Sequence, residues 1–121
     1  MSIKLTGMTV SILSARDVDF LLFDWLRTQE LLERPAFASH SRETFASVLE
    51  LAETLAREKY APHHRANDLQ EPRFDGTTVT LIPEVGTAVR AFADAGFLMA
   101  GLPEEDGGGG LPLSIGSACM A

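Results

Sequence analysis

The sequence predicts an all-α domain of three to four helices, joined by a long loop and a glycine-rich turn. Three observations predict it. Apolar residues recur at spacings of three and four across residues 41–60, the period of a helix with one buried face. A second face of the same period follows Pro83, a residue suited to the first position of a helix. The alternation that marks a strand is confined to Val79 and Leu81.

Residues 1–15 hold no sustained period and read as a mobile N-terminal arm or a short strand. A leader helix is expected over 16–36. Asp17 or Asp19 is placed to cap it, and Phe20, Leu22, Phe23, Trp25 and Leu26 cover most of its circumference. It should run through Leu31 and Leu32 and stop near Pro35, whose ring clashes with a preceding helical turn.

The strongest helix spans 41–60, with Phe45, Val48, Leu49, Ala52, Leu55, Ala56 and Tyr60 on one face. Ser41 is a natural N-cap, Glu43 sits where the helix dipole favours negative charge, and Glu53 with Arg57 forms a favourable i,i+4 pair. Pro62 marks its end. From 63 to 82 the period is lost, and Asp75-Gly76 signals a turn before one short strand. The next helix opens at Pro83, carries Val85, Ala88, Val89, Phe92 and Ala95 on one face, and stops at Gly96. Gly86 inside it costs up to about 1 kcal/mol relative to alanine. After the glycine run at 107–110, Leu113, Ile115, Ala118, Cys119 and Met120 read as the opening turns of a further helix. With no C-cap or polar tail after them, the chain reads as truncated.

The 121 residues carry 10 Lys and Arg against 17 Asp and Glu, a net charge of −7, which opposes binding to the phosphate backbone of nucleic acid. With 45% hydrophobic and 22% charged residues the chain is not disordered in character, and its length allows one domain with one modest core. Cys119 is the only cysteine, so no internal disulfide forms; that fits a reducing compartment, and a cytoplasmic location is expected. No stretch approaches the length of a membrane span.

The glycine run invites a phosphate-loop reading, but Leu111 and Pro112 stand where a P-loop needs Lys and Ser or Thr. Glu104, Glu105 and Asp106 would also repel phosphate, so a structural turn is expected there. His63 and His64 are neighbours whose side chains point apart, with Asp68 nearby and His40 far upstream; a solvated loop is the expectation rather than a metal site. Glu50, Glu53 and Glu58 fall on the polar face of the long helix, and no serine sits in a Gly-x-Ser-x-Gly elbow. Spacing alone yields no catalytic, cofactor-binding or metal-ligating residue.

Four stretches in order nevertheless resemble one family. They are Arg16-Asp17-Val18-Asp19-Phe20-Leu21-Leu22-Phe23; residues 41–62 with their closing Tyr-Ala-Pro-His-His; Phe74-Asp75-Gly76 with Ile82-Pro83-Glu84-Val85; and Ala95-Gly96-Phe97 through the loop Gly101-Leu102-Pro103-Glu104-Glu105-Asp106-Gly107-Gly108-Gly109-Gly110. Together these are similar to the N-terminal helical domain of the flavin-dependent acyl-CoA dehydrogenases, in the large, N-terminally extended branch that includes methylthiopropanoyl-CoA dehydrogenase. The loop is the most specific match, through Leu102, Pro103, Glu104, Glu105, Gly107, Gly108 and Gly110; Gly109 stands where the family often has a bulkier residue. On this reading 1–15 is the arm, 16–36 the leader helix and 37–121 the start of the family's helical domain.

The resemblance implies an FAD enzyme that oxidises an acyl-CoA thioester between its α and β carbons, passes electrons to an electron-transfer flavoprotein and works as a homo-oligomer. In the family the flavin contacts and the catalytic glutamate come mostly from parts with no counterpart in these residues. This chain alone is therefore expected to be inactive and to hold no FAD. Apolar surface is expected at Phe20 to Leu26 and at Leu111 to Met120, and with it self-association. The competing expectation is a stand-alone helical interaction module that uses the same apolar faces to bind a partner.

Overall fold

A computed structural model of the protein describes residues 12–121, so the expected arm lies outside the described residues as far as residue 11. Among the described residues the chain forms five α-helices and one two-stranded sheet, a mainly helical architecture. Helix α1 (Ala15–Asp19) begins one turn earlier than the aspartates suggest. Ser14, not Asp17 or Asp19, is its N-cap: the Ser14 Oγ accepts a hydrogen bond from the Asp17 N–H, leaving Asp17 in the first turn, where the dipole favours it.

The expected continuous leader helix is broken. After α1 the turn widens over Phe20–Trp25, where the Leu26 N–H donates to the Leu21 carbonyl five residues back. Arg27 then takes a left-handed conformation, φ 53°, and stops the helix. The Gln29 side-chain amide donates to the Phe23 carbonyl at 3.0 Å, an acceptor left over by that break. Tighter 3-10 turns follow at Thr28–Glu33 and Pro35–Phe37. The widened turn directs Leu22 and Phe23 into the core and leaves Phe20, Trp25 and Leu26 outside.

Helix α2 (Arg42–Leu55) is the axis of the fold. Ser41 caps it as expected, its Oγ accepting from the Thr44 N–H at 3.1 Å. The helix is shorter than its apolar period, because it opens into a wide turn at Ala56–Tyr60 before Pro62; Arg57 still reaches Glu53 at 3.8 Å. Residues 63–82 hold more than the loop expected from sequence. A short helix α3 (His64–Leu69) precedes an antiparallel hairpin of β1 (Arg73–Phe74) and β2 (Val79–Thr80), with Phe74 paired to Val79. Neither has a buried residue, which is why no apolar period announced them.

Helix α4 (Pro83–Asp94) starts on Pro83 and ends before Gly96, φ 86°, as the sequence predicts. Helix α5 (Leu113–Met120) packs on α2, while α4 packs on the Ala56–Tyr60 turn. The core between α1, α2 and α5 consists of Leu22, Phe23, Phe45, Ala100, Leu111 and Ile115, with Val18, Val48 and Cys119 against it. Phe45 and Ile115 are fully buried. A smaller contact joins Phe92 to Phe97, their rings stacked 4.9 Å apart. The Arg42 guanidinium lies 3.8 Å over the Phe23 ring and 3.2 Å from Asp19, tying the start of α2 to α1.

Candidate functional site

The segment between α4 and α5 folds back on itself as a closed corner, and its geometry follows from its glycines. The Gly107 N–H donates to the Glu104 carbonyl, Gly108 to Pro103, Gly109 to Met99, Gly110 to Leu102 and Leu111 to Ala100, all at 2.8–3.0 Å. Two backbone passes therefore lie in direct contact. A Cβ at Gly108 would collide with the Leu102 carbonyl, so no side chain fits there. A Cβ at Gly109 would lie 3.0 Å from the Ala100 carbonyl oxygen, so a bulkier residue at this position would have to displace Ala100.

This arrangement decides what the corner can do. Anion binding by a loop needs free N–H groups converging on the ligand, and those of 107–111 are spent internally. Glu104, Glu105 and Asp106 form the exposed turn that leads into it. With these N–H groups bonded internally, the corner offers none of them to the pyrophosphate of a flavin or another nucleotide.

The motif residues divide accordingly. Leu102 and Pro103 accept the corner's hydrogen bonds on their carbonyls, and Gly107, Gly108 and Gly110 form the return. Glu104 accepts a hydrogen bond from the Ser39 hydroxyl at 2.9 Å, whereas Glu105 makes no such contact. His40, weighed in the sequence only as a distant companion of His63 and His64, joins the set here. Its Nε2 lies 3.1 Å from the Gly110 carbonyl and 3.7 Å from Glu104, and its ring tilts against Phe45. Seventy residues separate His40 from Gly110, so no local pattern could have paired them.

Beside the corner a groove of about 330 Å³ is lined by His40, Thr44, Val48, Leu51, Phe97 and Met99, with the backbone of the glycines along it. A second, wider groove of about 520 Å³ lies along α5 between Phe92, Phe97, Leu113 and Met120. His63 and His64 fall at the start of α3, where the His63 ring stands 6.3 Å from Tyr60. Among the described residues no three His, Cys, Asp or Glu side chains gather closely enough to hold a metal ion. Burial pushes the Cys119 thiol up to about 11, and the Thr78 and Thr77 N–H groups hold the Asp75 carboxyl below its ordinary value.

The class defined by these features is a mainly helical scaffold with a glycine-locked corner and uncovered apolar faces. Among the described residues no helix is long and apolar enough to cross a membrane. Comparison with protein-family models, with curated proteins and with solved structures returns no match.

Proposed function

We propose that this chain is the N-terminal helical part of an FAD-dependent acyl-CoA dehydrogenase, inactive alone, with flavin and catalytic base supplied by the rest of the protein. The observation that carries the reading is the corner at 101–110. The stretch most similar to that family folds as a packing device whose N–H groups are consumed internally, the role a helical wall would need and not that of a cofactor loop. The uncovered apolar residues support it from another side. Trp25 is 69% exposed and Leu113 86%, with Phe20, Leu26 and Met120 also outside, as a surface awaiting cover would be. In this reading the substrate is an acyl-CoA, the electron acceptor an electron-transfer flavoprotein, the whole enzyme a homo-oligomer and its location cytoplasmic.

The test is to immunopurify the native gene product from its source cells with an antibody raised to this chain. The expected product is heavier than 13.1 kDa, carries FAD, and loses its flavin absorbance when acyl-CoA is added without oxygen. A flavin-free product at the chain's own mass overturns the proposal. The same exposed apolar faces then favour the second reading, a helical module that binds a partner protein without catalysis.

A further inference from the structure

We infer that the outer edge of β2 is a docking site for an extended segment of a partner protein, one that carries an acidic residue between two apolar ones. The hairpin is exposed along its whole length, and a two-stranded ribbon is marginal in water until a third strand or a packed face supports it. Its register fixes which backbone groups face outward. The Asp75 N–H donates to the Thr78 carbonyl at 3.2 Å, and from there hydrogen-bonded pairs alternate with pairs that are not: Arg73 with Thr80 is bonded, Phe74 with Val79 is not. The N–H and C=O of Phe74 therefore point off the β1 edge, and those of Val79 off the β2 edge. One step further along the same register, Pro72 stands against Leu81, each again turned outward.

The two edges differ in how they are guarded. Pro72 has no N–H to offer, and Glu71, Arg73 and Asp75 charge its strand, both ordinary protections of a sheet edge. The β2 edge has neither. Residues 77–82 read Thr-Thr-Val-Thr-Leu-Ile, without a charge, a proline or a glycine, and are rich in residues that favour strands. The Leu81 N–H and C=O meet no backbone partner among the described residues. An antiparallel strand laid here would exchange two hydrogen bonds with Val79 and two with Leu81. Its residues opposite those two would share the apolar face of Phe74, Val79 and Leu81, all of them exposed. Its middle residue would face Thr80, in one row with Arg73, whose guanidinium makes no ion pair among the described residues. Asp75, on the same face, is engaged by the N–H groups of Thr77 and Thr78. Arg73 and the middle residue stand two strand spacings apart, about 10 Å, which an arginine and a glutamate span together. A second copy of this chain fits the edge less well, since β2 laid on β2 brings no acid to either Arg73 and each chain carries a net charge of −7.

The test adds the peptide acetyl-Thr-Val-Glu-Val-Thr-amide to the whole chain and follows the backbone amides by NMR. The Val79 and Leu81 amides are expected to shift saturably and to exchange more slowly with solvent, while the Phe74 amide on the guarded edge holds still. Lysine in place of the central glutamate should weaken binding about two- to fivefold, the worth of one cross-strand charge pair. Arg73→Glu should reverse that preference, which a loss of structure could not do. Val79→Pro removes the outward N–H and should abolish the response. If that variant fails to fold, the same peptide methylated on the nitrogen of both valines, which cannot donate to the Val79 and Leu81 carbonyls, should not bind the native chain. No saturable response, equal binding of the glutamate and lysine peptides, or binding of the methylated peptide overturns the inference. So does a shift of the same two amides with chain concentration alone, which would make the occupant a second copy.

Discussion

Two glycine-to-alanine substitutions should have opposite signs, and the structure sets their sizes. At Gly108 the new Cβ would lie 2.6 Å from the Leu102 Cβ and collide with the Leu102 carbonyl. That carbonyl already accepts from Gly110 at 2.8 Å, and the Gly108 N–H donates to Pro103 at 2.9 Å, so spreading the corner loosens two bonds at once. Each is worth about 1 kcal/mol, and overpacking adds about 1–3 kcal/mol more, for a loss of about 3–5 kcal/mol. At Gly86, inside α4, a Cβ meets nothing within 4 Å, so the change to alanine removes only the entropic cost of glycine and gains up to about 1 kcal/mol. Urea unfolding followed by far-ultraviolet circular dichroism measures both, and thermal scans should differ by well over 10 °C between the variants at about 4 °C per kcal/mol. A Gly108→Ala protein as stable as the Gly86→Ala protein would refute the argument that the corner is locked by backbone contact.

The hairpin turn should depend on acid. Asp75 accepts hydrogen bonds from Thr78 at 2.8 Å and Thr77 at 2.9 Å, which hold its carboxyl below 3.8. A depressed carboxylate stabilises above its unfolded value and loses that effect as pH falls through the folded one, so the turn should loosen only below about pH 4. Carboxyl and amide shifts of Asp75, Thr77 and Thr78 followed by NMR report this, and a loosening that begins near neutrality would contradict it. Cys119, raised from 9.0 to about 11 by burial, should hold roughly a hundredfold less thiolate than a free thiol at neutral pH and react correspondingly slowly with iodoacetamide. Reaction at the rate of free cysteine would show the thiol to be open to water. The isolated chain should self-associate through its exposed apolar residues, and Trp25→Lys with Leu113→Lys should return it to monomer in light scattering. A wild-type monomer at high concentration would refute that.

Sequence reasoning succeeded where a helix buries one face and carries its own punctuation. Helix α4 is the clearest case, with Pro83 at its start, Gly96 at its stop and Ala88 buried between. It failed at Phe20–Trp25, where near-continuous apolar character carries no phase and nothing marks Arg27 as left-handed. It also missed α3, six residues long with none buried, since a helix without a packed face leaves no period to read. The glycine corner was legible as a turn from composition. His40 was not, because its role rests on a contact made across seventy residues by the packing of α2 beneath the corner.

The most uncovered apolar residues lie apart from the glycine corner. Trp25 and Leu113 are among the most exposed apolar side chains, and neither lines the groove beside the glycine corner. Association and the integrity of the corner should therefore separate by mutation. Trp25→Lys should change the association state and leave the stability set by the corner intact, while Gly108→Ala should lower stability and leave association unchanged, since distant sites without shared partners behave additively. If one substitution moved both readouts, the corner and the apolar faces would have to be parts of a single interface.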